Sequence, residues 1–298
     1  MDIKLAYTFL KVSELGNITK AAEQLGYSQA SVSSHIQQLE QDLGVALFDR
    51  IGRGIQLTDA GRRFKPYAVN LIKASEDADA FALDRTDPAG DLVIEASSSA
   101  LIGILSRILP EFCAQYPGIH IAVRLGEDTD VLVSRVRQNR IDFAMFLDQK
   151  RNYEGCVKAA ERYERFVFVA PPSDELAGKE GVNVMDIFDS FFISTFTSSD
   201  SSQQLRSVLD PFFTEHEMQP DVELGANAAA VSFMIHGGGR SFLPYFMVEE
   251  EVKRKTLSII DTEDIDSGMY TQVIYSANRW ISPQMQAFID FCNDITHR

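Results

Sequence analysis

The sequence predicts a multidomain α/β protein with a separate, mostly helical head. Three observations lead there. The 298 residues exceed the ~100–200 residues of one typical domain, which points to two or three domains. Residues 3–43 carry apolar side chains at helical spacing, interrupted at Gly16, Gly26 and Gly44. From Asp91 onward, short apolar runs alternate with amphipathic helical stretches, the pattern of α/β units around a mostly parallel sheet.

Composition narrows the class. About 45% of the residues are hydrophobic, ordinary for a folded protein and too many for a disordered one. No apolar run reaches the ~18 residues needed to cross a bilayer. The opening MDIKLAYTFLKV has neither the charged leader nor the small-residue cleavage site of a signal peptide. A cytoplasmic protein without membrane attachment is the expectation. Cys113, Cys156 and Cys292 are odd in number and lack C-x-x-C spacing, and the histidines at 35, 120, 216, 236 and 297 lack metal-ligand spacing. No disulfide framework, metal or cofactor is therefore expected.

Taken whole, the net charge of -15 argues against nucleic acid, because phosphate affinity comes from clustered Lys and Arg. Divided, it reads differently. Residues 1–66 hold eight basic groups (Lys4, Lys11, Lys20, Arg50, Arg53, Arg62, Arg63, Lys65) and seven acidic ones (Asp2, Glu14, Glu23, Glu40, Asp42, Asp49, Asp59), a net +1. The remainder carries -16, and within 43–66 five basic residues stand against two acidic ones.

In the first helix Ile3, Tyr7, Leu10 and Leu15 fall near one face, with Phe9 and Val12 widening the stripe. Gly16-Asn17 breaks the chain, and Asn17 is a good N-cap for a second helix over about 18–25 that buries Ile18, Ala21, Ala22 and Leu25. After Gly26-Tyr27, Ser28 caps a third helix in which Val32, Ile36, Leu39 and Leu43 recur at steps of three and four; Gly44 suits a left-handed stop. The other face of that helix offers Gln29, Ser31, Ser33, Ser34, His35, Gln37, Gln38 and Gln41. Few charges and many short hydrogen-bonding groups suit a helix inserted into a major groove. On an isolated helix the same set would be a solvated face, but two helices joined by a tight turn make a helix-turn-helix.

Leu47 to Thr58 then places two short apolar strands around an Arg-Gly tip, a β-hairpin wing whose Arg50 and Arg53 can meet phosphates. Gly52 and Gly54 are no dinucleotide fingerprint, since no strand-loop-helix unit with a third glycine follows. From Thr58 to about Asp87, Phe64, Tyr67, Leu71, Ala74, Ala78 and Phe81 form a narrow seam suited to pairing with the same helix of a second subunit. Pro66 is expected to remove one backbone hydrogen bond and kink this helix.

The run Gly16-Asn17-Ile18-Thr19-Lys20-Ala21-Ala22, then Leu25, Ser28-Gln29-Ala30-Ser31-Val32-Ser33, Ile36, Leu39-Glu40, Leu43-Gly44, Leu47-Phe48, Arg50, Arg53 and Leu57-Thr58-Asp59-Ala60-Gly61 resembles the DNA-binding domain of LysR-type transcriptional regulators. The family usually has proline where this chain has Ala30, in the first turn of the recognition helix, where it helps without being essential. The resemblance implies that Gln29 and Ser33 meet base edges and that Thr19, Ser28, Ser31, Ser34, His35 and Gln38 lie at the same interface. Arg50 and Arg53 would hold the phosphate backbone. It also implies a sequence-specific bacterial transcription factor rather than an enzyme. Its partners would be double-stranded promoter DNA, RNA polymerase and a small-molecule effector. A homodimer would place two recognition helices ~34–36 Å apart, two dimers would make a homotetramer, and the DNA-bound protein would sit on the nucleoid.

In the C-terminal part, strands are expected at Asp91–Ala96, Ile119–Leu125 and Ile141–Leu147, joined by helices at about 99–116 and 129–139. A second unit has strands near Phe166–Ala170, Phe191–Ser194, Asp221–Leu224 and Ser241–Leu243, with helices near 200–216 and 227–236. The chain returns through Tyr270–Ala277 to a last helix at 283–296. In layout, with Phe112, Tyr116-Pro117 and Leu243-Pro244 as markers, this resembles the family's effector-binding domain, two Rossmann-like lobes hinged as in type 2 periplasmic binding proteins. The expected division is a winged helix-turn-helix at 1–58, a linker and dimerisation helix at 59–88, lobe I at 91–161 and 267–298, and lobe II at 162–266.

Open α/β sheets bind ligands beyond the carboxyl ends of their strands. Ser98, Ser99, Thr129 and Phe146 lie at such ends in one lobe, and Phe196, Thr197 and Asn227 in the other. Hydroxyls, an amide and helix N-termini converging there favour a small anion, typically a carboxylate. Capping explains each of them separately; their convergence is the argument for binding. Arg240, in Gly237-Gly238-Gly239-Arg240-Ser241-Phe242-Leu243-Pro244, occupies an often buried strand position and needs a charge partner, either an effector carboxylate or an internal acid. A redox-responsive regulator of the same fold is an alternative, with Cys113 on the apolar face of a helix and Cys156 in a loop. A solute-binding protein fits only the second part of the chain, and an enzyme finds no G-x-S-x-G, H-E-x-x-H or phosphate-loop motif.

Overall fold

A computed structural model describes residues 2–51, 54–82, 88–126, 128–195, 209, 220–262 and 267–296. The chain divides into two compact units, Met1–Thr86 with the turn Gln138–Arg140, and Asp87–Arg137 with Ile141–Arg298.

The first unit opens with α1 (Ile3–Leu15), α2 (Ile18–Leu25) and α3 (Gln29–Leu43). Each starts where a side chain takes up a free backbone N–H: Asp2 accepts from Lys4, Asn17 from Lys20 and Ser28 from Ser31. Each ends on a glycine in the left-handed region, Gly16, Gly26 and Gly44. Their apolar faces meet in one core with Leu47, Ala68 and Ile72. In α1 the buried stripe is not the one expected. Leu5, Ala6, Phe9 and Val12 are buried and Tyr7 is 41% exposed. The reason is that α1 packs against both α3 and the long helix described next, so the face carrying Phe9 is enclosed from two sides. Leu43, at the end of α3, is also exposed.

The wing is an antiparallel pair, β1 (Phe48–Ile51) and β2 (Gly54–Leu57), in register from Phe48 opposite Leu57 to Ile51 opposite Gly54. It leads into α4 (Asp59–Ala82), which continues through Pro66. Tyr67, Leu71, Ala74 and Ala78 of the expected seam are exposed on α4; the side chain of Phe81 lies outside the described residues.

The second unit is built on one sheet of β3 (Gly90–Ala96), β4 (Ile119–Leu125), β5 (Phe143–Asp148), β6 (Cys156–Ala170), β7 (Phe192–Ser194), β8 (Val222–Glu223), β9 (Arg240–Pro244), β10 (Ser258–Ile260) and β11 (Gly268–Ser276). The order is β4-β3-β5-β11-β6-β9-β7-β8, with β10 on β6. Helices cover it: α5 (Ser98–Ala100), running through a π turn at Leu101–Leu105 into α6 (Ser106–Gln115), then α7 (Thr129–Arg137), α8 (Val184–Phe188), α9 (Asn227–Ile235), α10 (Tyr245–Lys253) and α11 (Pro283–Thr296). The main core runs from Leu92, Ile94 and Phe143 through to Phe166, Phe168 and Phe242, so the two halves of the sheet share it.

This sheet is mixed rather than mostly parallel. β3 pairs parallel with β4 and β5, as does β7 with β8 and β9, but β11 runs antiparallel to β5 and β6, and β6 antiparallel to β9 and β10. The cause is β6, which begins at Cys156 rather than at Phe166. Its first part carries Lys158, Glu161, Arg162, Glu164 and Arg165, so it lacks an apolar strand signature, and pairing with β11 is what makes it a strand. Cys156 thus opens a strand instead of sitting in a loop. Cys113 is exposed rather than on the apolar face of its helix, because the adjacent Phe112 takes the core position. The helices α8 and α10 and the strand β10 were not expected. The helix expected near 200–216 lies outside the described residues except for Leu209, which is buried in the main core.

Candidate functional sites

The first site is the outer face of α3. Val32, Ile36 and Leu39 hold this helix in its unit, while Gln29, Ser34, Gln37, Gln38 and Gln41 are exposed. These five side chains offer amide and hydroxyl groups and no charge, the inventory that reads base edges. Ser28 Oγ accepts the Ser31 N–H at 3.1 Å and lies 2.8 Å from the Ser31 hydroxyl. Both serines therefore fix the helix start that presents Gln29. Ser33 is half-buried, and Thr19 is exposed beside Lys20 in the first turn of α2. The Arg50 side chain and all of Arg53 lie outside the described residues.

His35 departs from the expectation of a free interface residue. Its Nδ1 lies 2.9 Å from Thr8 Oγ1, and that hydroxyl donates to Lys4 O at 2.8 Å. A hydroxyl has one proton, so with it committed to Lys4 the imidazole donates through Nδ1. The ring also stands edge-on to Tyr27 at 5.4 Å. The half-buried His35 is thus a strut tying α3 to α1.

Glu40 is a positioning residue that the sequence did not disclose. Its carboxylate accepts the backbone N–H groups of Leu47 at 2.6 Å and Phe48 at 3.1 Å, pinning the start of the wing to the reading helix. Thr58 closes the other end, donating to Ala46 O and accepting the Gly61 N–H. Gly61 is required there, since a Cβ would sit 2.1 Å from Leu47 O. Only the return of the wing onto α3, a long-range event, gives these residues their roles.

The second site lies at the carboxyl ends of the strands in the second unit. Ser97 caps α5, accepting the Ala100 N–H at 3.4 Å, which leaves Ser98 and Ser99 half-buried beside it. Asn227, at the start of α9, donates through Nδ2 to Ser99 Oγ at 2.8 Å. Residues 128 positions apart are thereby joined from opposite halves of the sheet. Thr129 is buried at the start of α7, and Phe196 and Thr197 lie outside the described residues.

Two expected members do not belong to this site. Phe146 is 1% exposed and packs with Leu132, Val133 and Tyr153. Strand alternation turns Ala144 and Phe146 toward that cluster, and Met145 and Leu147 into the main core. Arg240 is 1% exposed and fully engaged within its own half. Nε donates to Asp174 at 2.9 Å, Nη1 to the carbonyls of Asp186 at 2.7 Å and Ile187 at 3.3 Å, and Nη2 to Glu175 at 3.4 Å. The charge partner it needs is an internal acid.

Asp148, at the carboxyl end of β5, was also missed. It is fully buried and accepts from Tyr153 Oη at 2.6 Å and its neighbour Gln149 N–H at 2.7 Å, with Arg151 at 2.9 Å. Burial and this bond to Asp148 push the Tyr153 phenol far up, so it remains a donor. Among the thiols, burial raises Cys156 against the opposing pull of Arg137, and pushes Cys292 up to about 12.

Known proteins match both units. Residues 3–62 match the family model described as a bacterial regulatory helix-turn-helix protein of the lysR family, and residues 85–296 match the LysR substrate binding domain. An uncharacterized HTH-type transcriptional regulator of Bacillus subtilis, YwqM, is 24% identical over 97% of this chain and 98% of its own length. Among solved structures, a full-length OxyR variant from Pseudomonas aeruginosa superposes with a TM-score of 0.73 at 15% identity, covering 99% of this chain and 98% of that one. Full-length CbnR in complex with its target DNA gives 0.65 at 18% identity, covering 99% of each chain. At such identities the structures show the fold alone. The two domains together define a helix-turn-helix transcriptional regulator with an effector-binding domain. The chain belongs to the LysR family of bacterial regulators.

Proposed function

We propose that this regulator reads a specific promoter sequence through the exposed face of α3, as a dimer or a pair of dimers, and answers to a small anionic effector held between the two halves of its second unit. The observation that carries the reading is the Ser99–Asn227 hydrogen bond, which brings two polar helix starts from opposite halves to one point beyond the strand ends. An effector bound there would bias one arrangement of the halves over another in proportion to its differential affinity. The consequence would pass to the DNA-bound heads and to RNA polymerase, in the cytoplasm. Promoter DNA and oligomers fit the uncharged reading face and the exposed seam of α4. At Cys156 and Cys292 the cysteine alternative has less support, because burial raises both away from the reactive thiolate; Cys113 is exposed. The family relatives are named as transcriptional regulators, in keeping with a function other than catalysis.

A thermal-shift screen of small carboxylates, sugars and aromatics against the full chain tests the effector reading. An effector that raises the melting temperature of the second unit is expected to lose that effect in Asn227→Ala. A shift of undiminished size in that variant would place the ligand elsewhere.

The DNA reading has its own test. Gln29→Ala is expected to cost ~1–3 kcal/mol on the specific site and little on random DNA. Arg53→Ala is expected to weaken both alike. Equal losses for Gln29→Ala on the two DNAs, measured by fluorescence anisotropy, would remove Gln29 from base reading.

A further inference from the structure

We propose that the contact between the π turn and α10 is a latch that holds the two halves of the second unit in one setting, with Arg107 as the part that releases. The π turn at Leu101–Leu105 belongs to the half built on β3, β4 and β5, whereas α10 runs on directly from β9 in the other. Where they meet, the chain carries Gly103. A Cβ there would lie 2.4 Å from two ring carbons of Phe246 and 2.8 Å from Met247 Sδ, so glycine is what lets the two elements come this close. The allegiance of α10 is divided. Phe246 and Met247 pack with Ile104 and Leu105 in the main core, while Val248 packs with Val169, Ile193 and Leu243.

One turn further along, Arg107 fastens this junction. Its Nη2 donates to Phe246 O at 3.0 Å and its Nη1 to Glu249 Oε2 at 3.2 Å. A planar fork that engages two acceptors at once fixes direction as well as distance. Lys253 holds the other carboxylate oxygen of Glu249 at 3.0 Å, which keeps the acceptor in place. The side chains of Arg107 and Glu249 are 41% and 30% exposed. Water can take over either group, so this fastening opens readily, unlike the buried pairing of Arg240. Turning one half against the other slides α10 over the π turn, a shear between packed helices. That movement strips Arg107 of its paired acceptors, while Gly103 leaves the path clear of a side chain. The proposal rests on the reading that an effector biases one setting of the halves, and it names what that bias works against. A weaker latch raises the share of the other setting without ligand, and so changes the effector concentration required.

Pulsed electron-spin distance measurements on the full chain test this. Spin labels go on Asp91→Cys in one half and Glu180→Cys in the other, both exposed positions, in a Cys113→Ser, Cys156→Ser background. Labelled chains are diluted into unlabelled ones, so that distances within one chain are read. Arg107→Met is expected to raise the ratio of the second setting to the first by up to about fivefold. The exchanged pair, Arg107→Glu with Glu249→Arg, should recover part of that, the Phe246 carbonyl remaining without its donor. Gly103→Ala, which parts the two surfaces, should displace the main distance itself. Melting temperatures report folding separately, and where Gly103→Ala fails to fold the two Arg107 chains decide. A distance distribution unchanged by Arg107→Met overturns the proposal, as does a shift that the exchanged pair leaves untouched. Neither outcome bears on the thermal-shift result with Asn227→Ala, so the latch and the effector reading fail separately.

Discussion

Arg240→Met is expected to destabilise the effector-binding unit by about 3–5 kcal/mol. The methionine restores much of the buried volume, so the loss is electrostatic. Asp174 would keep its charge beside the core without its partner at 2.9 Å, and the carbonyls of Asp186 and Ile187 would lose their donor. Glu175 contributes little, since its side chain is 81% exposed and screened by water. For a unit of this size the loss amounts to a fall in melting temperature on the order of 10 °C, visible in calorimetry of the full chain. Asp174→Asn in the same chain should recover part of it, because the stranded charge is then gone. A melting temperature unchanged by Arg240→Met would refute the internal pairing and return Arg240 to the list of effector contacts.

Phe9→Ala is expected to cost about 3–5 kcal/mol in the other unit. Phe9 is wholly buried, its ring 5.3 Å from that of Phe48 at the start of the wing and 5.1 Å from that of Phe64 in α4. Truncation therefore loosens the contact of α1 with the wing and the linker helix at once. Domains of this size have about 5–15 kcal/mol in total, so DNA binding should fall steeply at 37 °C while the effector-binding unit melts as before. Phe9→Leu should retain most of the activity. Full DNA affinity in Phe9→Ala, measured beside an unaltered melt of the first unit, would show that the wing is held by other means.

What the sequence disclosed and what it hid follow one physical division. Caps and stops are local, and Asn17, Ser28, Gly16 and Gly44 act where the chain text places them. The polar face of α3 was readable for the same reason, since helical periodicity alone separates Gln29 and Gln38 from Val32 and Leu39. Roles set by distant partners were not readable. His35 looked like an interface residue until Thr8, 27 positions away, claimed its Nδ1. Arg240 needed Asp174, 66 positions away, before its charge could be placed. Phe146 sat at a strand end, where ligands gather, but which face of β5 met α7 was a tertiary fact. The first part of β6 was hidden because its pairing with β11, rather than its own side chains, makes it a strand.

That strand has a mechanical consequence. From Cys156 opposite Ser276 to Arg165 opposite Gly268, β6 is laced to β11, and beyond that it passes directly into pairing with β9 and β10. The passage between the halves is therefore a ribbon rather than a loose tether. A hydrogen-bonded ribbon resists sliding and stretching far more than it resists winding, so rearrangement here should be torsional, with the register irregularity between Val273 and Ile274 as its most compliant link. The amides of this stretch that bond to β11, alternate ones along an antiparallel pair, would then stay protected from exchange with solvent whichever way the halves are turned.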